Sequence, residues 1–400
     1  MDQFVQGNQW LEPLMPAILP DSMLAKASRI PFLAGELRGL LPPQTALRLG
    51  ALMRITSSYY SNLIEGQYTE PASLAPLSPQ RTGEDLQQLA LAHIRAQRVF
   101  ERAGTWSIHR GQPWSAMFSS DFVASVHRRL FKHATREQLS LGDGSQLQPG
   151  ELRSETQKNV IVGRDHFAPS WESVDAMILR MQQVYGRCGD PRYQLLGSLA
   201  YHHRLAYVHP FEDGNGRVVR MITHLQLHRL GLASPLWSLS RGLARKQDEY
   251  YARLRNADQA RRGDLDGRGQ LSQAGLLEFM NFMLDTCIDQ MTYIREALSV
   301  GRLRERLDKL VALHERFTGA GIKTECARAL HVLITQGKVL RADFKVFTGL
   351  HDRVASEQLR KLIEMGVVEA PSAKSRYVYP GLPVWFAQLV FPDLHTRLAS

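Results

Sequence analysis

Helical periodicity constrains this chain more than any other feature. Over residues 44–64, opened by Pro42-Pro43, the apolar residues Leu47, Leu49, Leu52, Ile55, Tyr59 and Leu63 recur mostly at three- and four-residue steps. One face of a helix is therefore apolar and needs a partner. The same pattern covers 83–103, 121–133, 173–187, 193–207 and 216–230, the last stopped by Gly231 as a C-terminal cap. It returns from 273 to about 313, after a polar, glycine-rich stretch at 256–272 that reads as a loop. Pro13, Pro16 and Pro20 punctuate an extended leader, and the β-branched run 158–163 reads as a strand or hairpin arm. The fold class this predicts is mainly α.

Past Gly321 the style changes. Short helices at 326–335, 341–348 and 354–365 are followed by two short strand patterns, 366–369 and 376–379, around a turn at Pro371-Ser372. Three small helices and a β-hairpin spell a winged helix-turn-helix. The chain carries +10, and residues 301–400, with 16 basic and 10 acidic side chains, supply +6 of it. An anionic partner at that end, duplex DNA, is one expectation, with Arg353, Gln358, Arg360 and Lys361 on the recognition helix and Lys374 and Arg376 on the wing. Asp352, Glu357 and Glu364 dilute that face, so a protein-docking role stays open.

Composition excludes several classes. At 44% hydrophobic and 22% charged residues the chain is not a disordered or low-complexity one. Cys188, Cys287 and Cys326 stand far apart with no C-x-x-C pair, which argues against a disulfide framework and fits a reducing cytoplasm. No stretch approaches eighteen uninterrupted apolar residues, so no membrane span is expected, and the opening Met1-Asp2-Gln3 lacks a signal pattern. Cytoplasmic localisation is the expectation.

The chemistry concentrates in one segment, His209-Pro210-Phe211-Glu212-Asp213-Gly214-Asn215-Gly216-Arg217-Val218-Val219-Arg220. Two glycines before an amphipathic helix let the backbone approach a ligand, and free N–H groups at a helix start favour phosphate. Arg217 and Arg220, three apart, emerge one turn apart on one face and suit a di- or triphosphate. Asp213 could hold Mg²⁺, and His209 could take a proton near neutral pH. Read by residue type alone, a plain turn beside a structural histidine stays open. His224 and His228 have the four-residue spacing of a zinc pair, but Leu225 stands where H-E-x-x-H needs Glu. His202 and His203 read as helix packing.

The segment resembles the Fic signature H-x-F-x-[D/E]-G-N-G-R-x-x-R at every fixed position. Asn159–Gly163 resembles the flap strand that precedes the loop in that family, 247–251 resembles the helix that follows it, and Phe167-Ala168-Pro169-Ser170-Trp171 departs from the expected Pro-Pro pair. Ser61-Asn62-Leu63-Ile64-Glu65-Gly66 resembles the inhibitory motif [S/T]-x-x-x-E-[G/N]. The resemblance implies a Fic-type helical core with a small β-hairpin flap, plus the C-terminal winged helix: an N-terminal region at 1–105 with the inhibitory helix at about 44–66, a core at 106–300, and a last domain at 301–400. It implies a self-inhibited protein adenylyltransferase that moves AMP from ATP, with Mg²⁺ or Mn²⁺, to a Ser, Thr or Tyr hydroxyl. His209 would be the general base, Phe211 the loop's anchor and Asp213 the metal ligand. Gly214, Asn215, Gly216, Arg217, Arg220 and Tyr251 would bind the nucleotide, and Ser61, Glu65 and Gly66 would inhibit. Gly216 stands where phosphate-transferring relatives carry lysine, which favours AMP. The partners implied are a hydroxyl-bearing target protein, the chain itself, duplex DNA, and a second copy in a homodimer. The rival reading is a transcriptional regulator whose Fic loop senses nucleotide; another group transfer or AMP removal is the third.

Overall fold

A computed structural model describes residues 5–74, 85–109, 111–154, 160–162, 166–233 and 236–395. The proline-rich leader gives way at Asp21 to a helix that the periodicity did not mark, α1 (Asp21–Leu40). Pro31 inside it argues against helix. Yet Met23, Ala27, Ile30, Leu33, Ala34 and Leu37 fall at helical spacing and are all buried, and packing of that stripe outweighs the broken hydrogen bond.

Helix α2 (Pro43–Ile64) begins on Pro43, where a missing N–H costs nothing, and is buried nearly all round from Leu52 to Asn62. It packs against α3 (Asp85–His109), which runs across the domain boundary expected at 105/106. Next come α4 (Ser120–Leu130), capped by the Ser119 hydroxyl, and a two-stranded hairpin, β1 (Ile161–Val162) and β2 (His166–Phe167). Ile161 pairs with Phe167 and Val162 with His166; Asn159 and Gly163 of the expected flap lie outside the described residues. Helices α5 (Trp171–Tyr185), α6 (Pro191–Val208) and α7 (Asn215–Arg229) follow. Buried on every side from Leu195 to Leu205, α6 is the central helix.

A short α8 (Leu239–Arg245) without a sequence signal leads into α9 (Gln247–Asp258). The expected loop at 256–272 starts three residues later, after Asp258, and is pinned by an Ala260–Leu271 bridge. The long helix expected at 273–313 is two: α10 (Gln273–Ala297) and α11 (Val300–Leu313), broken at Leu298-Ser299. The two serve different neighbours, α10 packing on α1 and α9 and α11 on the C-terminal helices. A continuous helix could not do both.

That C-terminal part holds α12 (Glu315–Gly319), α13 (Cys326–Gln336), β3 (Val339–Leu340), α14 (Arg341–Thr348), α15 (Asp352–Glu364), β4 (Val368–Glu369), β5 (Tyr377–Pro380) and α16 (Val384–Val390). The three helices and two strands stand where the pattern put them. Strand β3 adds a third partner, giving the antiparallel order β3-β5-β4. This module does not stand apart, as its sequence style suggested. The Thr45 hydroxyl donates to the Ile334 carbonyl at 2.8 Å, Arg48 pairs with Glu369, and Arg241 Nη2 donates to the Asp393 carbonyl at 2.7 Å. Gln358 is no surface reader either. It is 3% exposed, its Oε1 accepts the Lys323 N–H and its Nε2 donates to the Gly321 carbonyl. Arg360 and Lys361 pair with Glu364 and Glu357, leaving Arg353, Lys374 and Arg376 as the exposed cations of that set without such a pair among the described residues. No helix among the described residues is long and apolar enough to cross a membrane.

Candidate active site

The loop between α6 and α7 carries the chemistry. His209 ends α6 in the left-handed region, φ 50 and ψ 60, and Gly214 at φ 79 opens α7. Between them the Asn215 side chain closes the loop on itself: Oδ1 accepts the Phe211 N–H at 2.9 Å and Nδ2 donates to the Phe211 carbonyl at 2.7 Å. Phe211 is fully buried, which anchors the loop as expected. A side chain at Gly214 would lie 2.4 Å from the Phe131 ring, so only glycine fits. No side chain caps α7, and its first N–H groups have no intrahelical partner.

The charged groups meet beside that helix start. Arg220 Nη2 donates to Glu65 Oε1 at 2.6 Å and to the Ser61 carbonyl at 2.8 Å, while Nε donates to the Ser61 hydroxyl at 3.1 Å. Glu65 reaches Arg220 because α2 ends there. Gly66, at φ 74, terminates the helix, and the Gln67 N–H returns to the Asn62 carbonyl. A Cβ on Gly216 would fall 2.4 Å from Glu65 Oε1, so that carboxylate lies directly on the glycine of the anion-binding turn. Burial would raise the Glu65 pKa, but the Arg220 charge and hydrogen bond, with Arg217 behind, hold it below the usual value.

Arg217 donates to Asp213 Oδ2 at 3.2 Å and lies 4.6 Å over the Phe131 ring, and its buried Nε has no hydrogen-bond partner among the described residues. Half of the Asp213 side chain is exposed. Tyr251, expected on the nucleotide, donates its hydroxyl instead to the Ile64 carbonyl at 3.1 Å, and Gln247 Nε2 joins it at 3.3 Å. In this state Tyr251 braces the end of α2.

Burial, with the charges of His166 and Arg153, pushes the His209 pKa down to about 3, so its imidazole is neutral at pH 7. Two residues that no motif marked touch the same loop: Arg153 donates to the His209 carbonyl, and His127 contacts the Asp213 carbonyl. Only their place in the fold reveals them. His202 bonds Thr223 and Tyr250, and His203 bonds Asp258, as packing residues would. His224 turns to Glu101 at 2.9 Å.

Residues 117–227 match the Fic/DOC family. The chain carries a Fic domain. It is 28% identical over 154 residues to a protein adenylyltransferase Fic of Nematostella vectensis, a match covering 38% of this chain and 30% of that relative. Two crystal structures share the fold: a Fic family protein of Desulfovibrio desulfuricans (TM-score 0.53, 19% identity, 92% of this chain and 98% of that one) and a Fic domain containing signaling protein of Bacteroides thetaiotaomicron (TM-score 0.51, 17% identity, 68% and 97%). A mainly α-helical Fic-like fold with small sheets is thus shared along most of the chain.

Proposed function

We propose that this Fic protein is a self-inhibited protein adenylyltransferase. The observation that carries the reading is the Glu65–Arg220 ion pair, 2.6 Å long and seated on Gly216. A carboxylate occupies the place where an arginine, a glycine turn and an open helix start would otherwise take phosphate. In the reaction, the neutral His209 imidazole accepts the proton of a Ser, Thr or Tyr hydroxyl. The hydroxyl oxygen bonds to the α-phosphorus of ATP as the bond to pyrophosphate breaks. The backbone of Gly214, Asn215 and Gly216 holds phosphate oxygens, Arg217 the β-phosphate, and Arg220 the γ-phosphate once Glu65 has left. Asp213 is the carboxylate that would hold Mg²⁺ or Mn²⁺, which neutralises charge on the phosphates when bound. The half-exposed Asp213 and the side-chain-free turn beside it fit such a group.

The C-terminal module enters this reading as an input, because it touches the inhibitory helix at Thr45, Arg48 and Thr56. Duplex DNA is the ligand suited by Arg353, Lys374 and Arg376, the exposed cations of the expected recognition helix and wing.

The test is incubation with α-labelled ATP in cognate lysate, wild type beside Glu65→Gly. Labelled protein, much stronger with the variant and lost in His209→Ala, is expected. Absence of protein labelling by either would overturn the transferase reading, and equal labelling by both would overturn self-inhibition.

A further inference from the structure

We infer that residues 150–153, together with His127, form a clasp that sets the loop at both ends: Arg153 positions the base His209, and His127 positions the peptide of Asp213. The inference rests on the reading of His209 as the base.

Helix α6 ends at Val208, so its last carbonyls have no intrahelical partner, and they carry the negative end of the helix dipole. Arg153 answers both. Its Nε donates to the His209 carbonyl at 2.8 Å and its Nη2 to the Val208 carbonyl at 3.0 Å. The same Nη2 reaches the Pro169 carbonyl just past the hairpin at 2.8 Å, and the Arg153 backbone N–H donates to the Pro210 carbonyl at 2.8 Å. Three consecutive carbonyls, the last of α6 and the first two of the loop, thus hang on one residue. His209 sits in a left-handed conformation that L residues with a Cβ adopt rarely, so something must hold it there. A guanidinium fork can serve divergent carbonyls in fixed geometry; an ammonium cannot. At 3% exposed, Arg153 remains a cation, its pKa lowered by burial only to about 10.

The other arm is His127, fully buried. The Gly150 N–H donates to Nδ1 at 2.8 Å, which fixes the tautomer, so Nε2–H donates to the Asp213 carbonyl at 3.2 Å. Its ring lies parallel to Phe211, centroids 3.9 Å apart. Gly150 can approach because it has no side chain: at φ 90, a Cβ would meet the Arg128 side chain at 2.8 Å and the Ala124 carbonyl at 3.0 Å. The two arms meet four residues of chain at one end and six of loop at the other, which makes the loop a closed, doubly tied ring.

The two ends should separate in experiment. In the full chain carrying Glu65→Gly, Arg153→Met should lower the transfer rate about a hundredfold, the penalty of a base displaced by an ångström. Its affinity for Mg²⁺–ADP, measured by calorimetry, should stay within about threefold. The acid limb of its pH–rate profile should also rise, because a cation is removed from His209, which His166 and Asp258 face from the other sides. Arg153→Lys, a milder change in case the methionine variant does not fold, keeps the charge and should still lose most of the rate. His127→Phe keeps the stacking on Phe211 but loses both hydrogen bonds, and should weaken Mg²⁺–ADP binding about tenfold or more, the scale of a lost supporting partner. A merely structural role would lower both readouts together in either variant. That result, or unchanged kinetics and affinity, would overturn the clasp. If the Glu65→Gly protein transfers no AMP, the transferase reading falls, and the clasp is then decided by the His127→Phe affinity and by amide exchange over 205–216, which Arg153→Met should accelerate locally.

Discussion

Replacing Glu65 by Gln removes a charge and almost no volume, so it isolates the electrostatics of inhibition. The Arg220 side chain is 1% exposed and that of Glu65 27%. Removing one partner of a buried pair costs about 3–5 kcal/mol because the other charge is left behind. Here the cost falls below that range, since Glu65 is partly wet and Arg220 keeps both bonds to Ser61; about 2 kcal/mol is expected. At about 2 °C per kcal/mol for a chain of this size, the variant should melt ~4 °C below wild type. ATP should then act as the missing counter-charge. Saturation at a hundredfold over Kd adds about 2.7 kcal/mol, and the variant realises more of it because no carboxylate has to be displaced. Differential scanning fluorimetry with Mg²⁺ and ATP or ADP reads this directly: ATP should raise the melting temperature further in Glu65→Gln than in wild type, and ADP should raise both alike. If ATP and ADP act equally on both proteins, Glu65 does not occupy the γ-phosphate position.

Acidification should destabilise the fold early. Burial lowers the pKa of His93, His209 and His395 to about 3 and of His127 to about 4. The unfolded chain therefore binds more protons below about pH 6.5, and each such histidine removes up to about 1.4 kcal/mol per pH unit as pH falls toward its folded value. A melting temperature flat from pH 7 to 5 would contradict this burial. His209→Ala should abolish transfer, by about a hundredfold to ten-thousandfold, while calorimetry finds Mg²⁺–ADP affinity little changed; wild-type labelling would remove His209 as the base. Asp213→Ala, or EDTA on the active variant, should silence labelling, and undiminished labelling would take Asp213 out of metal binding. In a gel-shift titration the full chain should retard duplex DNA with strong salt dependence, weakened by Lys374→Ala with Arg376→Ala; no shift at low salt would favour protein docking.

The loop 209–220 was legible because its function needs residue types at fixed spacing, and α2 because its apolar stripe is regular. The motif at 61–66 also gave the meeting of Glu65 with Arg220, 155 residues apart, which no periodicity could supply. What stayed hidden is tertiary. Helix α1 carries a proline that local rules penalise, and the break at Leu298-Ser299 has neither glycine nor proline to announce it. Gln358 looked like a reader by helix position, yet neighbouring backbone claims its amide. Arg153 and His127 belong to no local pattern because what they hold are carbonyls, which every residue has.

Helix α2 is gripped near one end by the C-terminal module, through Thr45 and Arg48, and at the other by the Fic loop, through Ser61 and Glu65. Arg48 and the cap residue Glu65 stand 17 positions apart (65 minus 48), a rod of roughly 26 Å at 1.5 Å per residue. A rod passes on displacement and not shape. A displacement of about an ångström directed along the Arg220 contact, 2.6 Å long, takes it to the edge of hydrogen-bonding range, around 3.5 Å. The strength of inhibition then depends on both end grips and on α3, α8 and His395, which hold the rod along its length through Ser58, Ser57 and Thr56.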